Sequence, residues 1–431
     1  MLYTNLNINE AGHLTFGGLD TVELAKQYGT PLYLMDKDRV RENCRNYLST
    51  MRKFFGTECL PFYASKALCF ADICRLVKEE GMGLDVVSLG ELYTAQKADF
   101  PMEKVGFHGN NKTDLDIGTG IKLGVGHFVA DGEEEIDMIE AIAAKEGKVQ
   151  KVLLRVSPGI DPHTHAKIST GMVDCKFGAA IETGAAMELT KKLLCCPHIE
   201  FEGYHCHVGS QIFEASPFLS AVDIMVDFIA NVMAETGYIA KTLNLGGGFG
   251  VRYTEEDPKM NLEKMIHMVA DHLDAKRKEY GLPRLTIYME PGRSIVADAG
   301  ITLYTVGTVK KIPGYTTYVS VDGGMADNPR YTLYEAKYTF LNAKNAGAQA
   351  NLKCSVAGRC CESGDLLGEN VMIAEPSRGD ILAVLTTGAY NFSMASGYNR
   401  LGRPALVWVE QGESKLAVRR QSIEDILSQD L

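Results

Sequence analysis

The sequence predicts an α/β chain with a (β/α)8 barrel of the TIM type. A C-terminal, mostly β domain follows it and also takes the N-terminal strands. Three observations predict this. Eight short β-branched or aromatic runs alternate with amphipathic helical stretches between Cys59 and Ser294, the pattern of a closed parallel barrel. Beyond Ser294 the strand-like runs follow one another without long helices between them. Finally, 431 residues exceed one ordinary domain and suit two.

Taken in order, PLYLMD (31–36) reads as a strand and residues 39–55 as a helix leading into the barrel. The eight barrel strands are LPFYAS (60–65), GLDVVS (83–88), VGFHG (105–109), HFVAD (127–131), KVLLRVS (151–157), FEGYHCHVG (201–209), TLNLGGGFG (242–250) and LTIYMEPGR (285–293). Helical stretches with apolar residues at three- and four-residue spacing lie between them, among them 133–146, 182–194, 216–236 and 262–280. ITLYTVGTVKKI, TTYVSVDGG, ILAVLTTGAY and ALVWVEQG supply the β domain. The expected division is a barrel over 37–298 and a β domain made of 1–36 and 299–431, the N-terminal strand pairing with the latter.

Composition narrows the function. With 45% hydrophobic and 23% charged residues the chain is ordinarily globular. A net charge of −11 without a long basic run argues against nucleic acid and anionic membranes as partners. No uninterrupted apolar run approaches the roughly 20 residues of a membrane span. MLYTNLNINE lacks a basic-then-apolar leader, so a cytoplasmic location is expected. The eleven cysteines are scattered without C-x-x-C pairs. They read as reduced thiols, most of them small core residues, Cys195 and Cys196 included.

Barrel active sites lie at the carboxyl ends of the strands. Those ends carry Lys66, Asp85, Ser88, His108, His207, Ser210, the glycine turn Gly246, Gly247, Gly248 and Gly250, and Glu290, Gly292 and Arg293. A glycine turn after a strand exposes backbone N–H groups that can cradle a phosphate. A lysine amine can bind an aldehyde, an imidazole can stack on a flat ring, and a carboxylate can face a ring nitrogen. The one reading that uses all of them is pyridoxal 5′-phosphate. Another class stays open: His205 and His207, two apart on a strand, share a face as zinc ligands do in barrel metallohydrolases, and His163 and His165 form a second such pair.

Together FYASKA, GLDVVSLGEL, HTHAKISTG, HCHVGSQI, LNLGGGFG, EPGR, CESGD and GAYNFSMASGYN resemble the diaminopimelate decarboxylase family over nearly the whole chain. These are pyridoxal-phosphate decarboxylases with an alanine-racemase-like barrel and an added β domain. The resemblance implies decarboxylation of meso-2,6-diaminopimelate to L-lysine by a homodimer with shared active sites. It makes Lys66 the cofactor-binding lysine, with His207 stacked on the ring and Glu290 at the pyridine nitrogen. Ser210, Gly246, Gly247, Gly248, Gly250, Gly292, Arg293 and Tyr390 surround the cofactor. Cys361 and Glu362 enter from the second subunit, with Cys361 as proton donor, and Arg293, Arg330, Tyr334, Glu362 and Tyr390 bind substrate.

Residue chemistry agrees with that family. A carboxylate at the ring nitrogen keeps it protonated and favours loss of CO2, whereas racemases of this fold place an arginine there. Arg330 suits a distal carboxylate, because a guanidinium binds one through two parallel hydrogen bonds. Sister decarboxylases of ornithine, lysine, arginine or carboxynorspermidine share the lysine, the glycine turn and EPGR, and differ at the far end of the substrate. Two features depart from the commoner family form: Pro329 precedes Arg330 instead of following it, and Arg359 and Cys360 stand where apolar residues are more usual.

Overall fold

Each of the eight alternating runs forms a parallel strand in the computed structural model, which describes residues 1–160 and 175–431. The strands are Leu60–Ala64, Gly83–Val86, Val105–Phe107, His127–Ala130, Gln150–Ser157, Ile199–His205, Thr242–Asn244 and Thr286–Met289. They pair in chain order, and the last closes on the first through Tyr288 opposite Leu60. An unanticipated two-residue strand, Ala179–Ala180, pairs in parallel with Val156 and Ser157 at the end of Gln150–Ser157. Parallel strands covered on both faces read as continuous apolar runs, and Gly83–Val86 and His127–Ala130 are buried throughout.

The interior fills by pairing bulk with glycine. Phe62 meets the His127 ring edge-on at 5.4 Å and the Tyr288 ring at 4.9 Å. Next to them, a Cβ on Gly83 would lie 2.5 Å from the Phe62 ring, and one on Gly106 2.8 Å from His127 Nε2. Burial pushes the His127 imidazole down to about 3, so it serves as a neutral core ring.

Polar caps set where the surrounding helices start. Ser88 accepts from Glu91 N ahead of helix Leu89–Lys97, and a Thr113–Asp116 capping box opens Asp114–Leu123. Glu133–Glu146 ends on left-handed Gly147, and Ser216–Thr236 on left-handed Gly237. Among the described residues Ser216–Thr236 is the one helix long and apolar enough to cross a membrane. Much of that apolar character is used internally, since Phe218, Val222, Met225, Val226 and Ile229 are buried. On its polar side Asp223 pairs with His272 of helix Leu262–Glu279 at 2.8 Å. Cys195, expected in the core, is exposed: it follows helix Ala185–Leu194, where the periodicity that buries Leu193 has ended.

Two compact units divide the chain. One comprises Cys44–Gly250 and Lys259–Gly292, the other Met1–Asn43, Val251–Pro258 and Arg293–Leu431. In the second, the N-terminal strand Leu32–Asp36 pairs antiparallel with Gly300–Lys311 and parallel with Ala405–Glu410. It is buried along its whole length, as a central strand should be. Thr317–Val321, Leu352–Ala357 and Leu366–Ile373 extend the sheet on one side and Glu413–Val418 on the other.

One glycine is dictated by the barrel ladder. Gly203 has φ +146 at the irregularity between Ile199–His205 and Gln150–Ser157, and a Cβ there would lie 2.1 Å from the Thr242 carbonyl oxygen. Because a backbone atom cannot swing away, Gly203→Ala should lower stability by about 1–3 kcal/mol. An unchanged urea midpoint would show that the ladder absorbs the extra methyl.

Candidate active site

Lys66 sits in a single 3-10 turn, Ser65–Ala67, directly after the first barrel strand, and its side chain is exposed. The turn places an amine at the strand end without burying it. Asp85, on the neighbouring strand, is buried, and its Oδ1 has no hydrogen-bond partner among the described residues. Burial and the nearby Glu290 charge push its carboxyl well above the usual range, with Lys66 pulling the other way.

Glu290 directly follows the eighth strand, and its backbone N–H donates to the Gly246 carbonyl at 2.7 Å. Its side chain is 9% exposed and collects donors. Asn244 Nδ2 donates to Oε1 at 2.6 Å, His108 Nε2 lies 3.0 Å from Oε1, and His205 Nε2 lies 3.1 Å from Oε2. Burial alone would raise this carboxyl, but His108 and His205 outweigh it and hold Glu290 well below the usual range.

The glycine turn is tight on every side. A Cβ on Gly246, Gly247 or Gly248 would lie 2.6, 2.1 or 2.3 Å from the carbonyl oxygen of Cys206, Glu290 or Gly209, and one on Gly250 2.7 Å from the Phe213 ring. Gly246 and Gly248 also have φ of +68 and +109, which suits glycine alone. The Gly246 amide donates to Asn244 Oδ1 and the Gly247 amide to His207 Nδ1. The amides of Gly248 and Phe249 have no acceptor among the described residues. An exposed amine, a turn with amides to spare, a half-buried imidazole and a buried carboxylate are the donor set that pyridoxal 5′-phosphate requires, so these residues fit it.

His205 and His207 do not share a face. The strand ends at His205, so the two-residue alternation stops there and the rings take different partners, Glu290 and Gly247 N. The group of described side chains close enough to hold a metal is His108, His205 and Glu290, without His207. His163 and His165, with the rest of HTHAKISTG, lie outside the described residues. Ser210 follows His207 on the same loop and is half-buried.

The second unit carries the arginines. Arg293 Nη1 donates to Tyr253 OH at 2.7 Å, and its guanidinium lies 4.8 Å from the centre of the Tyr390 ring. Arg330 Nη1 donates to Tyr338 OH at 2.9 Å and stacks over Tyr253 at 5.1 Å. Both are buried, and the aromatic faces hold their charges where water does not. Pro329 immediately precedes helix Arg330–Tyr334, where a missing N–H costs nothing, so its departure from the family form leaves Arg330 well seated. Tyr334, at the end of that helix, is half-buried. Tyr390 has φ +63 and Thr386 φ +61, strained values for an aromatic and a β-branched residue, and such strain concentrates at functional loops.

In CESGD, buried Asp365 accepts from Met325 N and Cys360 N at 2.6 Å each and so ties two loops together. Cys360 is buried beneath that tie. Cys361 faces outward, its amide donating to Asn399 Oδ1 at 2.8 Å, and Glu362 is exposed beside it. Sequence reasoning passed over Asn244, Tyr253 and Tyr338. An asparagine just before a glycine turn and a tyrosine soon after it were the available signals.

The fold and these side chains define the class of pyridoxal-binding barrels. Residues 38–297 match the family described as "Pyridoxal-dependent decarboxylase, pyridoxal binding domain". The chain is 43% identical to the diaminopimelate decarboxylase of Bacillus subtilis, over 98% of this chain and 96% of that one. It is 40% identical to that of Staphylococcus aureus, covering 98% of each. The crystal structure of diaminopimelate decarboxylase from M. jannaschii in complex with L-lysine superposes with a TM-score of 0.91 at 34% identity, over 99% of this chain and 98% of that one. The chain therefore belongs to the diaminopimelate decarboxylase family of pyridoxal-dependent decarboxylases.

Tyr253 makes this site testable without ligand. Burial raises its phenol, but the Arg293 and Arg330 guanidiniums outweigh burial and bring it below its ordinary value. Its neighbour Tyr338 is raised. In an alkaline absorbance titration an early phenolate should form in the native protein and vanish in Tyr253→Phe. A titration identical in the two proteins would rule this environment out.

Proposed function

We propose that the chain is a pyridoxal-phosphate-dependent carboxy-lyase that converts meso-2,6-diaminopimelate to L-lysine and CO2, in the cytosol, as a homodimer. The observation that carries this reading is Glu290: a buried carboxylate held ionised in the same barrel whose first strand presents Lys66. When bound, pyridoxal 5′-phosphate supplies the electron sink that takes up the pair left on the substrate Cα as CO2 departs.

The protein's own groups do the rest. Lys66 Nζ would hold the cofactor through its aldehyde and yield it to the substrate amine. Glu290 would keep a proton on the ring nitrogen. His207 would lie against the ring; burial, Lys66 and Arg155 hold its imidazole well below the usual range, which suits a neutral stacking surface. The glycine turn and Ser210 would take the phosphate, and the family resemblance adds Gly292, Arg293 and Tyr390 to that role. Arg330 would receive the distal carboxylate, and Arg293, Tyr334 and Tyr390 would belong with it to the substrate-binding set. Cys361 Sγ returns a proton to Cα, and Glu362 beside it binds the substrate.

The direct test is CO2 release from meso-diaminopimelate, with ornithine, lysine and arginine run separately. Release from diaminopimelate alone is expected, and release from another of them instead would move the assignment to a sister decarboxylase. Borohydride should fix the cofactor on Lys66 and bleach the yellow protein. Arg330→Ala should cost on the order of 2–4 kcal/mol, roughly two to three decades in kcat/KM, with diaminopimelate but far less with substrates lacking a distal carboxylate. Equal losses on all substrates would mean that Arg330 supports the fold instead.

We propose further that each site is completed by Cys361 and Glu362 of a partner chain. Lys66→Ala and Cys361→Ala dimers should each be nearly inactive. After subunit exchange, half of the dimers are mixed, and each mixed dimer has one intact site. About a quarter of native activity should therefore return. Verified exchange without recovered activity would place both residues in one chain's site.

A further inference from the structure

Three buried side chains at the barrel rim have no part in the roles above: His108, His205 and Asn244. All three converge on Glu290, with Asn244 Nδ2 and His108 Nε2 at 2.6 and 3.0 Å from Oε1 and His205 Nε2 at 3.1 Å from Oε2. His205 Nδ1 is buried and has no hydrogen-bond partner among the described residues. A proton there would be unsolvated, so the ring's N–H belongs on Nε2, facing the carboxylate. Burial takes His108 down to about 4 despite Glu290, so it too donates as a neutral ring. The two imidazoles meet edge to face at 5.0 Å, which fixes their planes.

Neutral donors do what a lysine or arginine could not. They stabilise an ionised carboxylate without cancelling its charge, which stays available to a further cation. A carboxylate also offers about four acceptor positions, and the three donors leave one open.

We propose that His108 and His205 are positioning residues for the cofactor: by donating Nε2–H to Glu290 they keep its carboxylate ionised and fixed, and thereby keep the pyridine nitrogen protonated. This rests on the function proposed above. The other ionisable groups around the cluster come from the remaining strands. Asp85 lies 3.5 Å from His108 Nε2, and Lys66, His127, Arg155, Cys206 and His207 act over longer distances. None of these replaces a lost donor to Glu290, because the hydrogen bonds that Glu290 accepts come from His108, His205 and Asn244.

The test compares the native holoenzyme with His108→Leu, His205→Leu and their double variant, and with His108→Gln and His205→Gln, whose amide can still donate. Two readouts are followed across pH: the visible spectrum of the bound cofactor and the 15N resonance of ring-labelled pyridoxal phosphate. The leucine variants should lose the ring-nitrogen proton about one pH unit or more below the native protein. The glutamine variants should recover most of that shift. Circular dichroism checks folding, and where the double variant does not fold, the single leucine and glutamine pairs carry the comparison. Native-like spectra and 15N shifts in folded leucine variants would overturn the proposal. So would a stoichiometric divalent ion on His108, His205 and Glu290 whose removal by chelator leaves the cofactor spectrum unchanged. Native protein that takes up no pyridoxal phosphate would instead sink the functional reading.

Discussion

A carboxylate survives as an anion inside a barrel only if donors surround it, and the carboxyl end of this barrel is organised around that requirement. Glu290 draws on His108 after the third strand, His205 at the end of the sixth and Asn244 at the end of the seventh. Its own amide ties back to Gly246. Removing one partner of a buried charge typically costs about 3–5 kcal/mol, more than most single apolar contacts contribute. The glycine turn follows from the same need: it must pass so close to Glu290 that Gly247 has no space for a Cβ.

The second unit solves the opposite problem with the same means. Arg293 and Arg330 are buried cations. Phenol oxygens and aromatic faces hold them. Tyr253 serves both, accepting from Arg293 and lying beneath Arg330. Phenols satisfy guanidinium donors without neutralising the charge, so the pair stays attractive to an anion.

Most of this fold could be read from the sequence, because parallel strands and amphipathic helices each leave a distinct period. All eight barrel strands and the helices 133–146 and 216–236 fall where the pattern places them. The strand Ala179–Ala180 is too short to show a period. The site was legible wherever a residue type is costly for any other purpose, as with Lys66 and Glu290. It was illegible where ordinary residues gain their meaning from neighbours distant in sequence. Asn244 and Tyr253 look like a strand end and a loop aromatic until their partners are known. The pairing of His205 with His207 failed for a local reason, since the strand whose alternation suggested it ends at His205.

Burial in the barrel sorts its groups by what each must do. Glu290, His108, His205 and Asn244 are almost wholly enclosed, whereas His207 is half-buried and Lys66 is exposed. A group that has to keep one charge throughout a reaction gains from a dry, fully bonded setting, because its interactions are strong there and its geometry does not relax. A lysine that must take hold of a ligand and release it gains nothing from that setting, since each change would break buried hydrogen bonds. The short turn at Ser65–Ala67 therefore keeps Ser65 and Ala67 in the core with the apolar strand PFYA while Lys66 between them is exposed. Under the role proposed for Lys66, an apolar strand that stops on an ammonium group marks the point where fixed scaffold gives way to moving chemistry.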